Sequence, residues 1–377
     1  MRKMRKIAIN TGGGDAPGLN AVIRAATLAA IENGFEVWGI RHGYRGLLDH
    51  EPGGLVHLDR DRVRGIGHLG GTILGTVNRG DPFHYPTRIE GQTELQPVDR
   101  SAELVARFKE LGFEALIAVG GDGSQKIAHR LMKAGLPRVI GVPKTIDNDV
   151  IGTEVTFGFD TAVSIATEAI DRLHTTAESH DRVLVVEVMG RHAGWIALRS
   201  GLAGGADAIL IPEIPFRYEA IAAKIAQREA RGRKFAIVVV AEGAAPAGGS
   251  IAVKDKGDVF RGTAVLGGIA QQVEKELARR TNKECRSISL GHLLRGGGPT
   301  TFDRQLALRF GAAAVRFLTD TTDSGVVAIS GDTINLCSFE IVTSGTKFVP
   351  ADCDTVKTAR LMGICFGDER PEHYFAA

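Results

Sequence analysis

Residues 11 to 20 read Thr-Gly-Gly-Gly-Asp-Ala-Pro-Gly-Leu-Asn directly after a short apolar run, and residues 120 to 124 read Gly-Gly-Asp-Gly-Ser after another. Glycines let backbone N–H groups approach a bulky anion, and a helix beginning after each loop adds unpaired N–H groups and the positive end of its dipole. Alone, either loop is equally well a tight strand–helix turn. Together, at two strand ends, they point to phosphate. Asp122, a hard carboxylate among glycines, suits a Mg²⁺ ion held by few protein oxygens. A third loop, Gly141-Val142-Pro143-Lys144-Thr145-Ile146-Asp147-Asn148-Asp149, gathers a lysine, an alcohol, an amide and two carboxylates. One carboxylate can act as base toward a substrate hydroxyl while the other orients metal, water or backbone. An Asx-rich capping turn is the other reading. Arg182, Arg191, Arg286 and Arg295, with His292, stand at the entrances and exits of two further apolar runs. Guanidinium forks match phosphate oxygens bidentately, whereas a single arginine is most often a solvated charge.

Two familiar patterns do not apply. Gly65-Ile66-Gly67-His68-Leu69-Gly70 spells a dinucleotide fingerprint, but it follows the charged stretch 59 to 64 instead of an apolar strand. The Walker ending Gly-Lys-Ser/Thr is absent.

The elements that must carry these loops are legible as apolar, β-branched runs at 6–10, 35–40, 115–119, 139–142, 183–188, 208–211, 235–241 and 287–290. Amphipathic stretches at 19–32, 102–111 and 125–134 read as helices stopped by Asn33-Gly34, Gly112 and Gly135. This βαβα alternation predicts an α/β fold with parallel sheets covered on both faces, and ligands beyond the carboxyl ends of the strands. Length allows a domain change near residue 150, which composition does not locate.

Composition narrows the class further. The 377 residues are 44% hydrophobic and 24% charged, which excludes disorder and fibrous repeats, and the formal charge of +2 offers no basic surface for nucleic acid or an anionic membrane. Bound anions must then be met by locally placed groups. Gly is unusually abundant, at 48 residues. Cys285, Cys337, Cys353 and Cys365 form no Cys-x-x-Cys pair, so reduced thiols are expected. The basic start imitates a signal peptide, but its apolar stretch ends at Asn10, and the run 235–241 falls far short of the ~20 residues of a membrane span. A soluble, cytoplasmic protein is the expectation.

With these loops in place, the chain resembles the phosphofructokinase family. The resemblance rests on Gly-Gly-Asp-Ala-Pro-Gly-Leu-Asn at 13–20, Gly-Gly-Asp-Gly-Ser at 120–124 and Pro-Lys-Thr-Ile-Asp-Asn-Asp at 143–149. Gly-Phe-Asp-Thr-Ala at 158–162, Glu-Val-Met-Gly-Arg at 187–191 and Leu-Gly-His-Leu-Leu-Arg-Gly-Gly at 290–297 continue it, in family order. It implies two similar doubly wound α/β domains with mostly parallel sheets and the active site in the cleft between them. Residues 1–157 with about 295–345 would bind the donor, and 158–294 with the C-terminal segment would bind fructose 6-phosphate.

The implied reaction is phosphoryl transfer to the 1-hydroxyl of that sugar. Asp147 would be the base, Asp122 would hold Mg²⁺, and Thr145 and Arg191 would steady the phosphoryl group. Gly14, Asn78, Arg79, Gly121, Asp122, Gly123 and Ser124 would meet the donor. Thr145, Ile146, Asp147, Met189, Gly190, Arg191 and Glu242 would line the sugar site, with Arg182, Arg286, His292 and Arg295 on the 6-phosphate. Arg182 and Arg286 look like residues lent by a neighbouring subunit, which implies a homo-oligomer, a tetramer by the family's habit.

Gly123 and Lys144 decide the donor in such enzymes, and here they are mixed. Gly123 leaves room for the α-phosphate of ATP, so ATP is the expected donor and pyrophosphate the alternative. Departures from the pattern are Asn78 with Arg79 where one Arg is usual, Ile127 where a small residue is usual, and Leu28 and His174 where effector-site arginines are usual, although Arg24 is kept. A lipid or NAD kinase would share the loop at 120–124 but lacks the other motifs. A phosphate-sensing subunit without activity is the reading of another class.

Overall fold

The computed structural model describes residues 5–50, 52–255 and 265–374; the basic start at 1–4 lies outside them. The glycine loops spring from a seven-stranded sheet in the order Thr333–Cys337, Gly325–Ser330, Val139–Pro143, Phe113–Gly120, Arg5–Thr11, Phe35–Ile40 and Leu55–Leu58. Its five central strands are parallel, and the strand at each edge is antiparallel. Alternation along a strand sends Ile7 and Ile9 to one face with Val22 and Phe310, and Ala8 to the other with Leu116 and Phe108. Both faces are thus covered, as continuous apolar strands require. The helices Leu19–Glu32, Ser101–Glu110 and Asp122–Lys133 close just before the glycines expected to stop them.

A second sheet holds four parallel strands in the order Cys285–Ser289, Val183–Val188, Ala236–Ala241 and Ala208–Leu210. Leu184, Val186 and Val188 feed one core, and Val183 and Val185 the other. The layering repeats that of the first sheet at a smaller size. From the second sheet the chain returns through the helix Thr301–Asp320, which packs along Leu19–Glu32. Asp303 near its start accepts from the N–H and hydroxyl of Thr161 at 2.7 and 2.6 Å, tying it to the helix Phe159–Ser179.

Three details differ from expectation. The helix read from residue 125 begins at Asp122, because extended Gly121 ends the strand and a carboxylate in the first turn meets the positive helix end. The run at 287–290 is the strand Cys285–Ser289. The tail beyond 320, which carried no readable motif, supplies the hairpin Gly325–Ser330 and Thr333–Cys337, and Cys365 then bridges to Ala208 at the edge of the second sheet. Among the described residues no helix is long and apolar enough to cross a membrane.

Candidate active site

The carboxyl ends of three parallel strands open into a cavity of about 710 Å³. Gly12 donates to Val119 O at 2.9 Å and Lys144 N to Gly120 O at 3.0 Å, so the three loops are laid against one another. The buried Gln125 amide clamps them from behind, donating to Gly120 O at 2.9 Å and Val142 O at 3.1 Å. This stacking needs small residues. A Cβ on Gly12 would lie 2.8 Å from Ser124 Oγ, and one on Gly120 only 2.3 Å from Ser124 Cβ. At Gly123, by contrast, a Cβ would meet nothing within 4 Å and would project into open space.

Carboxylates and cations both line this cavity. Asp122, Asp147 and Asp149 line it, and one oxygen of each is buried with no hydrogen-bond partner among the described residues. Unsatisfied buried carboxylate oxygens are costly unless a cation or a donated proton completes them. Lys144, Arg191 and Arg295 line the cavity too. The Lys144 ammonium donates to Gly14 O. Burial, reinforced by the nearby Arg295 charge, lowers its pKa to about 7 against the pull of Asp15, Asp147 and Asp149. Arg295 Nη1 reaches Asp15 O at 3.0 Å and lies against Gly14. Burial and the neighbouring Asp147 charge push the Asp149 carboxyl upward. The Thr145 hydroxyl accepts from Asp147 N at 3.0 Å, an ST turn that fixes the base candidate relative to the alcohol.

The loop after Val183–Val188 is held in a strained shape. Arg191 is left-handed at φ 51, and its N–H donates to Glu242 Oε1 at 3.0 Å. A non-glycine residue in that region costs energy and persists only where its surroundings impose it. Gly243 supplies part of that enforcement, passing so close that a Cβ there would sit 1.9 Å from Arg191 O. Burial raises the Glu242 carboxyl from its ordinary 4.5 to about 7, with the Arg191 N–H opposing. Below pH 4.5 the group is protonated folded or unfolded, and above about 7 the folded chain must carry a buried charge. Its contribution to stability therefore falls as pH rises between those values. Glu242→Gln should raise the melting temperature at pH 8 and leave it nearly unchanged at pH 4; an equal change at both would contradict this assignment.

The structure brings Gly14, Asn78, Gly121, Asp122, Gly123, Ser124, Lys144, Thr145, Asp147, Arg191 and Arg295 to one cavity wall. Arg79, beside Asn78, is not on that wall, and the Ile146 side chain is fully buried in the second core. Met189, Gly190 and Glu242 lie beside Arg191 at the carboxyl ends of the second sheet, outside the cavity lining. His292 is exposed on the 3₁₀ turn Gly291–Arg295.

Arg182 and Arg286 are at the opposite edge. Both pair with Glu284, at 2.9 and 2.7 Å; Arg182 precedes a six-residue strand that sets it ~20 Å from the cleft end, and Arg286, second in the strand Cys285–Ser289, lies ~10 Å from that end. Neither lines this chain's cavity. Residues that motif reading passed over include Tyr44, at the cavity wall, and Lys126, whose ammonium lies 2.7 Å from Asp122 one helical turn away. The i,i+4 spacing was the available signal for Lys126, and Tyr44 had none.

Two mostly parallel sheets, with glycine loops, carboxylates and cations gathered at one cavity, define an α/β protein with a strongly polar cleft. The family model for phosphofructokinase matches residues 6–318. The ATP-dependent 6-phosphofructokinase of Chloroflexus aggregans is 49% identical over 368 residues, 97% of this chain and 99% of that one. The pyrophosphate–fructose 6-phosphate 1-phosphotransferase of Streptomyces coelicolor is 49% identical over 365 residues, 96% and 100% of the two chains. Among solved structures, Pichia pastoris phosphofructokinase in the T-state superposes with a TM-score of 0.77 at 33% identity, covering 91% of this chain and 36% of the yeast chain. The chain belongs to the phosphofructokinase family.

Proposed function

We propose that this protein transfers the terminal phosphoryl group of Mg-ATP to the 1-hydroxyl of fructose 6-phosphate, giving fructose 1,6-bisphosphate in glycolysis. The supporting observation is the meeting of unsatisfied carboxylate oxygens with Lys144, Arg191 and Arg295 beside a glycine loop in one cavity. Asp147 takes the hydroxyl proton as the sugar oxygen bonds to phosphorus and the donor's bridging oxygen leaves. Thr145, Arg191 and the Gly14 N–H steady the group in transit, and Lys144 offsets charge on the donor phosphates.

The unpartnered oxygen of Asp122 suits Mg²⁺. Bound there, it neutralises charge on the donor. Met189, Gly190, Glu242 and the backbone of Ile146 shape the sugar site, with His292 and Arg295 on its 6-phosphate. Arg182 and Arg286, which do not line this chain's cavity, serve a neighbouring copy, which makes the working unit a homo-oligomer, a cytoplasmic tetramer by family analogy. The donor falls to the half built on the seven-stranded sheet, the sugar to the other.

The donor rests on Gly123, whose missing side chain leaves the α-phosphate its space. Pyrophosphate is the second reading, favoured by Lys144. A coupled assay with fructose 6-phosphate, Mg²⁺ and each donor side by side tests both, and turnover with neither would overturn the proposal. Gly123→Asp should depress turnover with ATP by ~10-fold or more through charge repulsion while sparing pyrophosphate. Equal loss with both donors would remove the steric argument.

A further inference from the structure

We infer that Lys347, in the tail beyond the family motifs, is a positioning residue for the loop that carries Asp147 and Asp149. Its ammonium uses its three donors on three neutral oxygens: Asn148 Oδ1 at 3.1 Å, Thr153 O at 3.0 Å and Glu154 O at 3.0 Å. Its backbone N–H donates to Asp149 O at 2.9 Å. Both partners lie in the reacting loop, 199 residues away in the case of Asn148.

Asn148 is the hinge between the two carboxylates. It is left-handed at φ 52, and its Oδ1 also accepts from Thr156 N at 3.2 Å. Fixing that side chain fixes the backbone from which Asp147 and Asp149 both reach the cavity. The far side of Lys347 is anchored in the second half of the molecule. Its carbonyl accepts from Trp195 Nε1 at 2.8 Å, and the ammonium stands 5.6 Å from the Trp195 ring. Two residues on, Val349 N donates to Glu213 at 2.8 Å, and the same carboxylate holds Gly194 N at 3.0 Å. The segment thereby sets the loop of Asp147 against the loop of Arg191.

This inference rests on the proposed phosphoryl transfer. Lys347→Met keeps the length of the side chain and removes its donors. It should lower kcat by ~10- to 100-fold, the effect of small misplacement at a reacting centre, with KM for fructose 6-phosphate within about three-fold of wild type. Combining it with Asn148→Ala should cost less than the product of the two single losses, because both remove one shared contact. Unchanged kcat in Lys347→Met, additive losses in the double variant, or a joint change of kcat and KM that tracks melting temperature would each overturn it. Should Lys347→Met fail to fold, Asn148→Ala alone, which leaves the other Lys347 bonds intact, must show the same kcat-selective loss. A wild-type protein idle with both donors refutes the functional reading itself; an active wild type lets the variants judge Lys347 alone.

Discussion

Asp147→Asn should lower kcat by ~10²- to 10⁴-fold, the range for a lost general base, while KM for fructose 6-phosphate stays within about three-fold. The substitution is nearly isosteric in a site that is 4% exposed, so the loop need not move. Its backbone N–H keeps the Thr145 bond, which does not involve the side chain. What disappears is an anionic oxygen that has no partner among the described residues and is therefore available for a substrate proton. Steady-state kinetics at saturating donor, with a melting curve to show intact folding, decide the matter. A variant that turns over at the wild-type rate would exclude Asp147 as the base.

Gly243→Ala is expected to be almost as damaging, although the residue carries no chemistry. The added methyl would stand 1.9 Å from Arg191 O and 3.3 Å from Pro212 Cγ. The nearest obstacle is backbone and cannot swing aside like the end of a long side chain, so the Arg191 peptide must shift. Its N–H bond to Glu242 and its left-handed conformation shift with it. A displacement of that size costs ~10²-fold in turnover, and overpacking adds ~1–3 kcal/mol of lost stability. Turnover and melting temperature should fall together here, unlike in Asp147→Asn. Wild-type turnover in the alanine variant would place Arg191 outside the reacting geometry.

What sequence made legible follows the range of the forces involved. Strand runs such as 35–40 and 183–188 and the helix 19–32 appear at the residues that local periodicity marks. The phosphate-type loops were readable because glycine and carboxylate beside a strand end are a local pattern. The strand Thr333–Cys337 escaped because a half-exposed edge strand lacks the apolar run of a central one. Lys347, Glu213 and Gly243 escaped for another reason. Each acts on a partner brought near only by the fold, across 199 residues for Lys347 and Asn148 and 136 for Val349 and Glu213. Arg182 and Arg286 were read as 6-phosphate ligands lent by a neighbouring subunit, and the topology sets both toward the amino-terminal ends of their strands, off this chain's cavity lining.

The seven-stranded sheet also dictates a timetable. Its strand Val139–Pro143 is flanked on one side by Gly325–Ser330, made about 180 residues later, after the whole second sheet has been synthesised. At ~5–20 residues per second, the ribosome leaves that edge open for roughly ten to forty seconds, a β-edge exposed to any passing partner. The smaller sheet, contiguous in the chain apart from its C-terminal rim, can complete its strand pairing in that interval. Completion of the larger sheet waits on synthesis of the smaller, and truncation between residues 143 and 325 should leave the chain with an open β-edge at Val139–Pro143.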